Sequence, residues 1–62
     1  MRSTYVTIYY KDGQSEELHE NVERVFELGM SLVIEFWESN YSTYERHIPM
    51  ERIHEYEIKK YR

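Results

Sequence analysis

The sequence predicts a small, mainly β protein, an antiparallel meander of five or six strands forming a partly open barrel or sandwich. Three observations support this fold class. Apolar and polar residues alternate with a period of two in several segments, most clearly over residues 5–10 and 31–38. Turn-forming pairs such as Asp12-Gly13 separate these segments. The chain has 62 residues and no cysteine, so a single domain spanning residues 1–62 is expected, without disulfides.

The first predicted element is a β-hairpin. Over residues 5–10, β-branched and aromatic side chains alternate between two faces, as is typical of a strand. One face carries Val6, Ile8 and Tyr10, and the other carries Tyr5, Thr7 and Tyr9. The Asp-Gly pair within residues 11–14 predicts a tight turn. A returning strand is therefore expected over residues 15–19.

Residues 15–29 fit two structures. A helix over residues 16–28 would begin at a capping Ser15 and end at Gly29, which gives an α+β fold of the βαββ type as the alternative. Two short strands separated by a bend at Glu20-Asn21 fit the alternation of residues 22–28. We favour the strands because each would pair with its immediate neighbour in the sequence.

The strongest predicted strand covers residues 31–38. Its core face is expected to carry Leu32, Ile34 and Phe36, while Val33, Glu35 and Trp37 point outward. A turn over residues 39–42 leads into a strand at 43–48, in which Tyr44, Arg46 and Ile48 share a side.

Pro49 should end that strand because proline has no backbone N–H to donate. Residues 49–52 are predicted to form a tight turn or a single helical turn. A final strand follows, in which His54, Tyr56 and Ile58 alternate with acidic and basic residues.

The chain also resembles small all-β proteins of Gram-positive bacteria and their phages. The resemblance covers most of the chain and lies in these segments: residues 9–13 (Tyr-Tyr-Lys-Asp-Gly), 20–25 (Glu-Asn-Val-x-x-Val), 31–36 (Ser-Leu-Val-Ile-Glu-Phe) and 47–58 (His-Ile-Pro-Met-Glu-Arg-Ile-x-x-Tyr-Glu-Ile). It implies a mostly β fold and a phage or mobile-element setting. It implies no activity and no site residues.

The charge of the chain is uneven. Residues 12–38 contain eight acidic residues and one basic residue, Arg24, which gives this stretch a net charge of −7, against −4 for the whole chain. Phosphate backbones repel such a chain, so long nucleic acids are not expected as partners. The acidic stretch is interpreted either as a solvated face or as a surface that docks on a basic host protein, in imitation of a nucleic acid.

The sequence contains no catalytic signature. It has no cysteine, no Gly-x-Ser-x-Gly motif and only two glycines, which argues against nucleophilic catalysis and phosphate-binding loops. The three histidines, His19, His47 and His54, lack metal-ligand spacing, although His47 and His54 would approach each other if their strands paired. We therefore predict a non-enzyme without a cofactor or a metal.

The sequence also bears on localisation. The first residues lack the hydrophobic region of a signal peptide. The longest aliphatic run, residues 32–34, is too short for a membrane span. The prediction is a cytoplasmic protein that does not bind membranes, located in the host cytoplasm if a phage encodes it.

Aromatic side chains form the best candidate for a functional surface. We predict that Tyr5, Tyr9, Trp37 and Tyr41 form a partner or ligand surface. The same residues also fit a second packed face or a subunit interface. The predicted function is a non-enzymatic protein-interaction module, a homodimer that binds and modulates a host protein such as a bacterial defence or regulatory factor. The alternative is a domain that stacks a small ligand or nucleotide on its aromatic side chains.

Overall fold

A computed structural model describes residues 3–61. Met1, Arg2 and Arg62 lie outside the described residues, and with them two of the predicted positive charges. Residues 3–61 form six strands and one short 3₁₀ helix, Met50–Arg52. The strands are β1 (Ser3–Tyr10), β2 (Ser15–Leu18), β3 (Val22–Leu28), β4 (Ser31–Ser39), β5 (Ser42–Pro49) and β6 (Ile53–Tyr61). The predicted mainly β fold of five or six strands is confirmed, with six strands.

The strands form two antiparallel sheets that pack as an open sandwich. The first sheet has the order β2-β1-β6 and the second has the order β3-β4-β5. Short turns join neighbouring strands within each sheet, and the chain passes between the sheets after β2 and after β5. The last strand, β6, returns to pair with β1 from Ser3↔Tyr61 to Tyr10↔Ile53. The outer strands of both sheets therefore keep one free edge.

The helical alternative for residues 16–28 is wrong, because these residues form β2 and β3. Both strands pair with the neighbour expected from the sequence. Between them, Asn21 has a left-handed backbone with φ 61°, and its carbonyl accepts a 2.8 Å hydrogen bond from the Trp37 N–H. A single residue in this conformation stops a right-handed helix.

The core lies between the two sheets and follows the predicted alternation. Its buried side chains are Val6, Ile8, Leu32, Ile34, Phe36, Ile48 and Ile53. Val33 differs from expectation, because it lies on the outer face of β4 but is 0% exposed. Phe26 and His47 flank it on the neighbouring strands.

The pairing of β6 with β1 contains a β-bulge. Tyr9 lies opposite Glu55 and Tyr10 lies opposite Ile53, so His54 has no partner on β1. The extra residue shifts the alternation of β6 at this point. As a result Ile53 occupies the buried position at this end of the strand. His54 was predicted to lie on the same side as Tyr56 and Ile58, but it is exposed.

Candidate interaction surface

Two polar contacts join the sheets across their open edges. At the edge between β2 and β5, an edge cluster consists of Tyr10, Glu16 and Arg46. The Arg46 guanidinium donates to both Glu16 carboxylate oxygens at 3.0 and 3.2 Å, and the Tyr10 hydroxyl donates to Glu16 at 2.7 Å. The hydrogen bonds from Arg46 and then from Tyr10 lower the pKa of Glu16, although burial opposes them.

The opposite edge, between β6 and β3, is joined by one hydrogen bond. The Tyr56 hydroxyl donates to the Glu27 carboxylate at 2.6 Å. This hydrogen bond raises the pKa of Tyr56, since the carboxylate stabilises the protonated hydroxyl, and burial adds to the effect. Both edges of the sandwich are thus closed by polar side chains rather than by strand pairing.

Most of the large exposed rings lie at one end of the sandwich, where β1, β3 and β5 begin and β2, β4 and β6 end. We call this region the aromatic end. Its most exposed rings are Trp37 (41%), Tyr41 (98%), Tyr44 (49%) and Tyr61 (51%). At the opposite end the exposed large apolar side chains are Leu28 and Met30. Aromatic side chains dominate the energetics of protein interfaces, so the aromatic end is the stronger candidate surface.

Tyr5 is fixed at the aromatic end by two other rings. It stacks on His19 with 5.0 Å between ring centroids and an interplanar angle of 21°. Tyr61 meets it edge to face at 5.2 Å and 81°. Such pairs are favourable beyond the area that they bury, so this cluster presents an ordered surface.

The turn between β4 and β5 presents Tyr41 to solvent. The Tyr41 N–H donates to the Ser39 hydroxyl at 3.2 Å, and the hydroxyls of Ser39 and Ser42 are 3.0 Å apart. Ser42 also donates to the Glu38 carboxylate at 3.3 Å. These bonds order the turn, while the Tyr41 ring itself is almost fully exposed.

A groove opens between β2 and β5 beside the aromatic end. Its lining includes Leu18, Glu20, Phe36 and Tyr44, and its volume is about 340 Å³. Tyr44 stacks on Phe36 with 4.9 Å between ring centroids and an interplanar angle of 15°. We call this feature the β2–β5 groove. A second groove of about 330 Å³ lies on the other side of His19 and includes Trp37 in its lining.

The four residues predicted to form a site do not all lie together. Tyr5, Trp37 and Tyr41 lie at the aromatic end, with Tyr5 on the outer face of the first sheet and Trp37 on that of the second. Tyr9 lies towards the opposite end of β1, and its hydroxyl donates to Glu57 at 3.2 Å. This hydrogen bond raises the pKa of Tyr9. Whether these residues bind a partner stays a prediction.

Sequence reasoning missed three members of the aromatic end: His19, Tyr44 and Tyr61. The position of His19 follows from the register of the first hairpin, in which Val6 lies opposite Leu18. One step further along both strands sets His19 beside Tyr5, so the register of this hairpin could have predicted their contact. The alternation of β5 assigned Tyr44 to the side of Ile48, but Tyr44 is 49% exposed and lines the groove at this end.

The histidines do not come together. His47 and His54 lie on or beside strands of different sheets, and His47 contacts Glu45 at 3.0 Å. Within residues 3–61, no group of three or more His, Cys, Asp or Glu side chains is arranged to hold a metal ion.

No helix among the described residues has the length and hydropathy needed to cross a membrane. In comparisons with known proteins, no family model, no curated protein and no solved structure matches this chain significantly.

Proposed function

We propose that this chain is a non-enzymatic protein-interaction module that binds a host protein through its aromatic end. The observation that carries the proposal is the grouping of exposed rings there, with Tyr41 98% and Trp37 41% exposed. Burying such rings against a partner removes large apolar areas from water and leaves their polar atoms at the rim. The described turn and stacked rings order the surface before binding, which lowers the entropic cost of association.

The acidic side chains near these rings support a protein partner over a nucleotide. Glu20 lines the β2–β5 groove, and Glu23 lines the groove beside Trp37. Carboxylates repel phosphate groups and attract basic protein surfaces. The alternative, a small-ligand or nucleotide binder, is therefore less favoured for ligands that carry phosphate groups.

The proposal includes a homodimer and a phage or mobile-element setting. A chain of 62 residues buries a small core, and a second copy would add buried area. The setting is supported by the resemblance to phage and Gram-positive β proteins, and inhibition of a defence or regulatory factor fits it. Sedimentation equilibrium tests the dimer: a monomer mass at all concentrations contradicts it.

The test of partner binding compares exposed apolar side chains at the two ends. Tagged wild-type protein, the double variant Trp37→Ala/Tyr41→Ala and the control Met30→Ala are used to capture proteins from a bacterial lysate. Met30 is 83% exposed at the opposite end, so its replacement removes exposed apolar area away from the aromatic end. We expect one stoichiometric partner with wild type and Met30→Ala, and its loss with the double variant.

Two outcomes contradict the proposal. One is a lysate that yields no partner, and the other is a partner retained by the folded double variant. The ligand alternative has its own test, a thermal shift against a panel of nucleotides and small cations. A ligand present at about 100 times its Kd should add about 2.7 kcal/mol to the free energy of unfolding.

A further inference from the structure

We propose that the β2–β5 groove binds an arginine or lysine side chain presented by an extended basic segment of the partner protein. This inference rests on the proposed function, because it names the chemistry of the partner. It is carried by an uncovered ring, by the placement of the chain's own arginines and by the charge of the groove.

The uncovered ring is Tyr44. It lies on the inner side of β5, the side that carries the buried Ile48 and the half-buried Arg46. β2 faces this side and ends at Leu18, and the residues that follow it line the β2–β5 groove together with Tyr44. The ring stacks on Phe36 and remains 49% exposed.

The chain's own arginines cover two other rings. The Arg24 guanidinium lies 4.9 Å from the centroid of Phe26, and the Arg52 guanidinium lies 5.3 Å from that of Tyr10. A cation over an aromatic face is attracted by the ring quadrupole. Within residues 3–61, no cation lies over Tyr44 in this way. A guanidinium or ammonium group from a partner would supply the same contact there.

The charge of the groove favours a cation. Glu20 lines it, is exposed and forms no ion pair with another residue in the range 3–61. The neighbouring Glu17 lies opposite Thr7 and so points to the outer face of the first sheet, away from the groove. Arg46 also lines the groove, but Glu16 holds its guanidinium through two hydrogen bonds. The groove therefore combines an aromatic surface with a carboxylate that is free to bind a basic side chain.

The backbone beside the groove favours an extended partner segment. β2 and β5 are both outer strands of their sheets, so each has one edge without a neighbouring strand. An extended segment can pair with such an edge through backbone hydrogen bonds, while alternate side chains enter the adjoining groove. One of the side chains on that face of the segment would then lie against Tyr44.

The test uses defined peptides and nuclear magnetic resonance of the labelled protein. The probe is a capped hexapeptide in which arginine and threonine alternate, and the control peptide carries citrulline, an uncharged isostere, at each arginine. Two protein variants remove one feature each: Tyr44→Leu removes the aromatic ring, and Glu20→Gln removes the negative charge. The matched control, Glu55→Gln, changes the net charge equally at an exposed site outside the groove.

We expect the arginine peptide to shift backbone resonances of residues 17–20 and 43–46, and the citrulline peptide to cause no saturable shift. Tyr44→Leu should weaken binding about two- to fivefold, since a cation–π contact at an exposed site is that strong. Glu20→Gln should weaken binding about two- to fivefold, and the matched control should bind like wild type.

Shifts spread evenly over the surface, or equal weakening by the two charge variants, would overturn the inference, because binding would then follow net charge alone. If Tyr44→Leu does not fold, the charge variants still decide. Failure here is distinguishable from failure of the proposed function: a partner lost by Trp37→Ala/Tyr41→Ala but retained by Glu20→Gln leaves the proposed function standing.

Discussion

The ion pair between Glu16 and Arg46 should contribute measurably to stability, because it joins the two sheets at an open edge. The perturbation is a double-mutant cycle with Glu16→Gln and Arg46→Met. Glutamine keeps an oxygen that accepts from the Tyr10 hydroxyl, and methionine keeps much of the apolar stem of arginine. The cycle thus isolates the interaction between the two charges.

The expected size follows from geometry and exposure. Hydrogen bonds to charged groups contribute about 1.5–3 kcal/mol when well shielded, and exposed ion pairs contribute about 0.2–1 kcal/mol. The side chains here are 32% exposed for Glu16 and 41% for Arg46, so solvent screens the pair considerably. We expect a coupling free energy of about 1 kcal/mol, roughly 4–8 °C in Tm for a domain of this size.

The coupling should depend on pH in one direction. The pKa of Glu16 is lowered in the folded protein, chiefly by the hydrogen bonds from Arg46. A carboxyl group with a lowered pKa stabilises the fold fully above its unfolded pKa, and this stabilisation is lost as the pH falls through its folded pKa. The coupling should therefore be complete near neutral pH and should be lost as acid protonates the carboxyl group, at a pH below the ordinary pKa of glutamate.

The assay is urea unfolding of the four proteins, followed by the fluorescence of Trp37, the only tryptophan. The wild type, both single variants and the double variant are compared near neutral pH and at the lowest pH at which all four remain folded. A coupling below about 0.3 kcal/mol near neutral pH, within the usual error of additivity, would refute the reasoning. So would a coupling that is unchanged by acid.

Three further changes test the fold. Ile34→Ala should lower the free energy of unfolding, measured by urea unfolding, by about 2–5 kcal/mol, because Ile34 is fully buried. A loss below about 1 kcal/mol would contradict its place in the core. Gly29→Ala should lower it by about 1 kcal/mol through backbone strain at φ 60°; an unchanged Tm would contradict the left-handed turn. Tyr56→Phe should lower the free energy of unfolding by about 0.5–1.5 kcal/mol, since it removes the hydrogen bond to Glu27. Glu27→Gln is the milder comparison. If Tyr56→Phe leaves the free energy of unfolding unchanged, this edge contact is not formed.

Local patterns predicted the strands well, and the reason is their period. In β1 and β4, side chains alternate between a buried and an outer face, so Val6, Ile8 and Ile34 were assigned correctly. The bend at Asn21 was predicted from its residue type. The pairing between distant segments was not predicted, because nothing in the sequence near β1 indicates that β6 returns to pair with the free edge of β1.

Predicting the candidate surface from the sequence depended more on the pairing of distant segments. Tyr9 and Tyr5 alternate identically in the sequence, but only Tyr5 lies at the aromatic end. The bulge at His54 follows from matching β6 to β1, which local alternation does not encode. Burial of Val33 on an outer face likewise required its cross-strand neighbours.

The length of β2 links the stability of the sandwich to its proposed binding site. Glu16, on this four-residue strand, holds Arg46 of the other sheet. Two residues later the strand ends, and the residues after it line the groove with Tyr44 of β5, which is 49% exposed. Glu16 holds the Arg46 guanidinium, and within residues 3–61 no guanidinium lies over Tyr44 as Arg24 and Arg52 lie over Phe26 and Tyr10. The ion pair that joins the sheets therefore adjoins the ring that we propose as the contact of a partner's cation.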